Sequence, residues 1–478
     1  GFGGTSGGPA PLRTLHRRLQ AYAEAREGSL SSSLRFLADA INSIGLCVVS
    51  GNVRRGAQIL LCPAGSGWRR EFLSLKAGGG LPSPEWKSFL SGGGDSPLLQ
   101  NNRLLSLQDR PLVAGLSNNS LLLETAEDFL QIPEIVEKVL ERGEPGFLNK
   151  INISKFGRFG HPGEVPPDAA TGCNPCGEIP LEHRELCNLV EIFPTKIRDR
   201  RTFEKVVEIS TLYAQTVSLL PTHQPETNEV VSRNRRIGVS LSGVAEWLDT
   251  IGGARLTKEL RGMYRLVRAS AGKWATLSGA PAPIRYTTVK PSGTISLLAG
   301  VPAGMHFPAF RYAIRRLRVA EGSPLAEKLA RVSVPHEKDL VTPSTEVFEF
   351  PIESTSARPA GEVSIWEQVA LLACLQREWA DNMVSCTGYF NPATEGKQLE
   401  PVLGLFAPLV KSISLLPHSE VGAYPQMPYE GISEEEFAMR QGRMRTIAWE
   451  GDEGQGVAQK EELYCTGDAC VIDGNHQP

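Results

Sequence analysis

The chain has 478 residues and a formal net charge of −3, with 22% charged and 41% hydrophobic residues. That size allows one large barrel or two domains, and the near-neutral balance gives no basic field for nucleic acid or an anionic membrane. No apolar run approaches the roughly 18 residues that cross a bilayer, and nine cysteines are too few for a disulfide scaffold, which points to a reducing, cytoplasmic setting with thiols kept for chemistry.

In chain order, residues 1–11 form a glycine-rich loop that composition alone reads as a flexible linker. Helical spacing follows at 12–25 and 30–44, where Leu30, Leu34, Leu37, Ala38, Ile41 and Ile44 recur on one face. Residues 51–57 are a Gly-bounded loop. Its paired arginines, Arg54 and Arg55, suit an anion such as a nucleotide phosphate, although exposed arginines usually only solvate a surface. Residues 58–62 read as a short buried strand. The glycine- and proline-rich stretch 77–116 reads as an inserted loop. A strand pattern at 117–121 precedes a helix from Thr125, with Phe129, Ile132, Ile135, Val136, Val139 and Leu140 on one face and Gly143 as a natural stop.

Residues 171–189 concentrate chemistry: Cys173, Cys176 and Cys187 stand with Asn174, Glu178 and Asn188. Asn174, Pro175 and Gly177 are turn formers, so the first half is a tight loop with a thiol at its tip. Three readings compete. A zinc knuckle would need a second metal-binding pair that the chain lacks. A thioredoxin-like dithiol would need a βαβ context. The third is a radical-bearing thiol.

Downstream, 188–193 is a strand pattern, Thr202 caps a helix, and 234–242 is a strand with a basic lead-in. Residues 287–295 run as a strand into Pro291, Ser292, Gly293 and Thr294. Small and hydroxyl residues at a strand-to-helix turn suit phosphate; an ordinary N-cap reads equally well. Residues 307–318 are rich in aromatics and arginine, 342–352 and 412–417 read as strands, and 366–381 and 433–445 as helices. Cys374 and Cys386, set among apolar residues, read as buried and inert. The polar tail carries Cys465 and Cys470 around Gly467, which lets the chain bend so that the sulfurs meet.

These motifs resemble ribonucleotide reductases. The register Asn174, Cys176, Glu178, Cys187, Asn188, Leu189 is similar to the family's finger loop. Lys290-Pro-Ser-Gly-Thr294, Gly304-Met-His-Phe307, the short Asn52-Val-Arg-Arg55 loop and the tail dithiol are most similar to its monomeric, adenosylcobalamin-dependent branch. The resemblance implies an α/β fold: a ten-stranded barrel of the ribonucleotide reductase and glycyl-radical type, two parallel five-stranded halves set antiparallel, with a central finger loop. It implies effector and specificity loops and helices in 1–76 (Gly3, Gly4, Thr5, Asn52, Arg54, Arg55), a loop insertion in 77–116, a catalytic barrel in 117–450 and a redox tail in 451–478.

The implied roles follow. Cys176 carries the thiyl radical, Glu178 takes a substrate proton, Asn174 holds sugar hydroxyls, Cys187 supplies a reducing equivalent, and Cys465 and Cys470 recycle it. Pro291, Ser292, Gly293 and Thr294 hold the substrate phosphate. His306, Phe307, Tyr312, Arg315 and Tyr424 lie on the cofactor side, with no metal site of the protein's own. The implied partners are a ribonucleoside triphosphate, a deoxynucleotide effector and a thioredoxin-like reductant, acting on a monomer. In the family the disulfide partner of Cys187 lies on the first barrel strand. No cysteine precedes Cys47 here, so the expectation is an N-terminally truncated chain that lacks its first strand or strands. Cys173 has no counterpart. The other functional readings are the large subunit of a reductase with a metal-radical partner, and an inactive nucleotide-binding homologue.

Overall fold

The computed structural model describes residues 8–24, 34–50, 56–76, 117–161, 163–340, 345–354, 358–418 and 426–447. Gly3, Gly4, Thr5, Asn52, Arg54, Arg55, the insertion 77–116, Tyr424, and the tail with Cys465 and Cys470 lie outside the described residues.

The strands, in chain order, are β1 (Gln58–Pro63), β2 (Ser117–Leu123), β3 (Gly146–Asn149), β4 (Gly172–Cys173), β5 (Pro180–Leu181), β6 (Asn188–Ile192), β7 (Ile237–Leu241), β8 (Tyr312–Ala320), β9 (His336–Lys338), β10 (Thr345–Glu353), β11 (Thr387–Phe390), β12 (Ser412–Pro417) and β13 (Tyr429–Gly431). A five-stranded sheet has the order β1-β2-β3-β12-β11. Strands β1, β2 and β3 are mutually parallel, β12 is antiparallel to β3, and β11 is parallel to β12. Strands β6 and β7 form a separate parallel pair. Isolated parallel bridges, Val239 to Thr287 and Val289 to Val384, join that pair to the segment leading into β11. Bonds from Val239 N to Tyr286 O (2.8 Å) and Ser385 N to Val289 O (2.9 Å) do the same. A run of parallel segments (β6, β7, 287–289, 384–390, β12) therefore abuts three strands of opposite direction. Among the described residues the sheets do not close on themselves.

Parallel strands are covered on both faces, which demands continuous burial. All five residues of β7 are buried, and so are six of the seven in β2. Helices Arg200–Ser218 and Gly253–Ser278 pack together, the first lying on β6 and β7. Helix Ile132–Arg142 ends at Gly143, which adopts φ 77° and closes the turn onto Val139 O, as its position in the sequence predicts. At two helix starts the cap differs from the sequence reading. Thr125 caps a 3-10 turn, Ala126–Gln131, and the α-helix starts only at Ile132. The cap of Arg200–Ser218 is Asp199, whose Oδ1 accepts the Thr202 amide at 2.9 Å. Aspartate outcompetes threonine there because its carboxylate also complements the helix dipole.

A four-stranded antiparallel sheet, β13-β8-β10-β9, has its own apolar cluster of Val319, Ala326, Leu329, Val334 and Phe348. The arginines of β8 face acidic or carbonyl partners: Arg316 meets Glu349 and Glu430, and Arg318 meets Asp339. No described helix is long and apolar enough to cross a membrane.

Candidate active site

Strands β4 and β5 form the stem of a hairpin that presents residues 174–179. The side chain of Asn174 folds the tip: its Oδ1 accepts the amides of Glu178 (3.1 Å) and Ile179 (2.9 Å). Its backbone exchanges bonds with Ile179 and Gly177, and Gly177 supplies φ 72°, a conformation glycine reaches without a Cβ penalty. Asn174 is therefore a loop former, and only its Nδ2 donors remain for a ligand. Four segments hold the tip. Asn118 Nδ2 donates to Pro175 O at 2.9 Å. Thr288 Oγ1 and the Met383 amide both donate to Glu178 O, at 2.7 and 2.9 Å. Ser412 Oγ donates to Gly177 O at 3.2 Å. Ile179 packs against β7 at Gly238, where a Cβ would stand 2.6 Å from Leu189 Cδ2 and 3.0 Å from both Ile179 Cδ1 and Thr288 Cγ2. Gly238 is thus required by close approach and not by backbone conformation.

The held tip borders a cavity of about 510 Å³. Cys176, Gly177 and Pro291 line it, with Asn118, Ser385, Cys386 and Ser412 among the other wall residues. Cys176 is exposed, yet the surrounding protein removes enough water to push its thiol up, Glu178 adds to the rise, and Lys290 opposes it. The thiol therefore opens into a cavity that Pro291 also lines, in place of an enclosed position within a closed sheet. Cys386 is buried, as expected, but forms part of the cavity wall.

Glu178 is fully buried, and neither carboxylate oxygen has a hydrogen-bond donor. Its charged neighbour is Lys290, whose Nζ lies 3.6 Å from Oε1. A carboxylate buried without donors is costly, so its placement calls for a functional reason. Cys187 lies close enough that Glu178 and Lys290 both act on it: burial first, then Glu178, push its thiol up to about 11. Cys173 packs against an apolar cluster that includes Leu122, Leu148 and Met383, and burial pushes it up to about 12. It is a packing residue, which fits neither a zinc pair nor a redox dithiol.

The turn after Lys290 is the second part of the site. Ser292 adopts φ 49° and is buried, and its Oγ faces the Glu191 carboxylate without a close hydrogen bond. Gly304 packs so tightly on this turn that a Cβ would lie 2.3 Å from Lys290 O. The Lys290 amide is tied to Ser240 Oγ and the Gly304 amide to Ser242 Oγ, both at 2.9 Å. The following helix, Ile295–Ala299, has five residues, too short to supply an appreciable dipole. An anion on Pro291–Thr294 would therefore rest on backbone amides, the Ser292 hydroxyl and Lys290.

A buried ion cluster closes the neck of the loop. Arg236 bonds Asp168 through both terminal nitrogens at 2.8 Å, and Glu185 through Nε at 2.9 Å. One guanidinium thus ties the chain before the loop to the chain after it. The sequence shows only a basic lead-in at 234–236; its burial follows from the parallel sheet around β7.

The expected cofactor-side residues are mostly committed elsewhere. His306 accepts the Thr387 amide at Nε2 (3.0 Å) and bonds Ala303 O through Nδ1 (3.1 Å). Both ring nitrogens are used, so it pins the turn to β11 and offers nothing to a ligand. Phe307 is core, Tyr312 lies against Phe437, and Arg315 stacks over Tyr429. A residue passed over in the sequence is more promising: His418 Nε2 is buried without a partner, with Phe310 and Tyr389 ring centroids 5.9 and 6.4 Å away.

No protein-family model matches the chain. An adenosylcobalamin-dependent ribonucleoside-triphosphate reductase of Euglena gracilis is 35% identical over 98% of the chain, and a probable one of Dictyostelium discoideum 34% over 99%. One from Lactobacillus leichmannii is 32% identical over 99%. A crystal structure of a B12-dependent, class II ribonucleotide reductase superposes with a TM-score of 0.73 at 31% identity, covering 93% of this chain. Over nearly all of its own length the chain is similar to adenosylcobalamin-dependent ribonucleotide reductases. It spans 58–64% of the length of these relatives and 61% of that solved chain. A class Id ribonucleotide reductase alpha subunit of Actinobacillus ureae, at 14% identity and a TM-score of 0.51, shares the reductase fold alone.

Proposed function

We propose that the chain reduces ribonucleoside triphosphates to 2′-deoxyribonucleoside triphosphates through a thiyl radical on Cys176. The observation that carries this reading is Glu178, a buried carboxylate with no hydrogen-bond donor in a loop whose tip thiol shares a cavity with the Pro291 turn. Replacing a ribose 2′-hydroxyl is difficult because hydroxide leaves poorly from an unactivated carbon, and a radical at C3′ eases that loss. Cys176 takes the 3′-hydrogen. Glu178 accepts the 3′-hydroxyl proton, its oxygens being free of competing donors. The Nδ2 donors of Asn174 orient the sugar. Pro291–Thr294 hold the phosphates. Cys187 supplies one of the two reducing equivalents and a partner thiol upstream of Gly1 supplies the other; the two sulfurs end as a disulfide, which Cys465 and Cys470 reduce by exchange and a thioredoxin-like protein recycles.

The names of the relatives support adenosylcobalamin as cofactor. His418, with an unpaired buried nitrogen between the rings of Phe310 and Tyr389, fits a group that has amide side chains around a planar ring, and these residues would hold it. When bound, the group supplies the initiating radical by homolysis of its cobalt–carbon bond. The parallel run meeting β3, β2 and β1 in the opposite direction supports a ten-stranded barrel with residues 172–181 as its finger loop. The glycine loop at 1–9 and the loop at 52–57 are proposed to read a deoxynucleotide effector.

Mixing the chain with adenosylcobalamin, a dithiol and a ribonucleoside triphosphate is expected to change the visible cobalamin spectrum. A spectrum unchanged by nucleotide would contradict the cofactor assignment and favour a metal-radical partner.

A further inference from the structure

Glu178 is held in place from both sides. Its amide is bound by Asn174 Oδ1, and its carbonyl by Thr288 and Met383. The side chain leaves from a backbone fixed on both sides, and the residue is 0% exposed. Its oxygens receive no hydrogen bond. A single ammonium, Lys290 Nζ, stands 3.6 Å from Oε1. Lys290 is itself positioned: Ser240 Oγ fixes its amide, and Gly304 is pressed against its carbonyl.

We propose that Lys290 is a positioning residue whose ammonium is the counter-charge to buried Glu178, pairing with the carboxylate that takes a proton beside Cys176 and Cys187 without occupying its acceptor sites. This rests on the reading of Glu178 as the proton acceptor. At 3.6 Å the pair has no strong hydrogen bond, so the carboxylate's acceptor sites stay open to an incoming hydroxyl. A tight charge-assisted bond would stabilise the anion more but would occupy those sites. An intermediate separation gives charge without occupancy. Lys290 also directly precedes, in the chain, the Pro291 turn where the phosphate is expected.

Other charged groups act on the same thiols and lysine. Glu185 and Arg236 act on Cys187, in opposite senses, and Lys290 also acts on Glu191. None of these contacts the Glu178 carboxylate.

The test is a double-mutant cycle on thiol alkylation, with no nucleotide or cofactor present. Iodoacetamide rates at Cys176 and Cys187 are followed by peptide mass spectrometry over neutral to alkaline pH. The proteins are wild type, Glu178→Gln, Lys290→Gln, the double variant and Lys290→Arg. Because the Glu178 charge raises both thiols, Glu178→Gln is expected to speed alkylation about three- to tenfold while Lys290 is present. The proposal makes Lys290 and Glu178 act as one unit, so in the Lys290→Gln background the same change should alter the rate less than about twofold. Lys290→Arg should retain the large response. Should Lys290→Gln not fold, Lys290→Met, which keeps the aliphatic stem, completes the cycle. An equal response to Glu178→Gln with and without the lysine would overturn the proposal. A chain that fails to reduce ribonucleotides would sink the proposed function and leave the outcome of this cycle intact.

Discussion

Replacing Cys176 with serine is expected to abolish deoxynucleotide formation while leaving nucleotide binding intact. Serine preserves the shape of the tip, since the bonds that fold it come from Asn174, Asn118, Thr288 and Ser412 and none involves the sulfur. What changes is the chemistry: an alcohol O–H bond is far stronger than a thiol S–H bond, so the side chain no longer exchanges hydrogen atoms with a sugar carbon. When a group that forms the reactive intermediate is removed, little of the chemical step survives. Turnover should fall below about one part in a thousand, with the Kd for ribonucleoside triphosphate changing less than about threefold. Equilibrium dialysis and product chromatography check the two halves, and retained turnover would refute the role of Cys176.

The second large effect lies away from the chemistry. Arg236→Met leaves two buried carboxylates, Asp168 and Glu185, without their shared guanidinium. Breaking one side of a buried ion cluster costs about 3–5 kcal/mol, far more than an exposed pair. Urea unfolding should show the midpoint fall with an unchanged slope. The pH dependence has a definite sign. Burial acts to raise the Asp168 carboxyl, but bonds from Arg236 outweigh it, and Asp168 is held below its ordinary value. A depressed carboxylate contributes stability above its unfolded pKa and loses it as pH falls through the folded one. The wild type should therefore lose stability in acid at Asp168, and Arg236→Met should lose the part of that component that Arg236 supplies, Arg285 and the Ala170 amide still acting on Asp168. A variant as stable as wild type at neutral pH would contradict the neck function of Arg236.

The site was readable in the sequence where chemistry is local. Turn formers flanking Cys176 announce a tight loop with an exposed thiol, and the register from Asn174 to Leu189 carries the family resemblance. Helix ends marked by Gly143 and the strand at 188–192 follow from local rules. Burial set by distant strands was not readable. Arg236 looks like a surface arginine until parallel strands enclose it, and His306 looks like a ligand until Ala303 and Thr387 claim both nitrogens. Cys173 looks like half of a metal pair, yet packs on Leu122 and Leu148. Lys290 sits in plain view before the Pro291 turn, but its relation to Glu178 depends on a pairing 112 residues apart in the chain. The same limit applies to His418, whose unpaired nitrogen is a property of its neighbours.

The most direct measurement is product analysis: the purified chain is incubated with a ribonucleoside triphosphate, adenosylcobalamin and a dithiol, and the nucleotides are separated. The account predicts a 2′-deoxyribonucleoside triphosphate whose formation requires both additions and Cys176. A chain that binds the nucleotide and the cofactor yet leaves the ribose unreduced would contradict it.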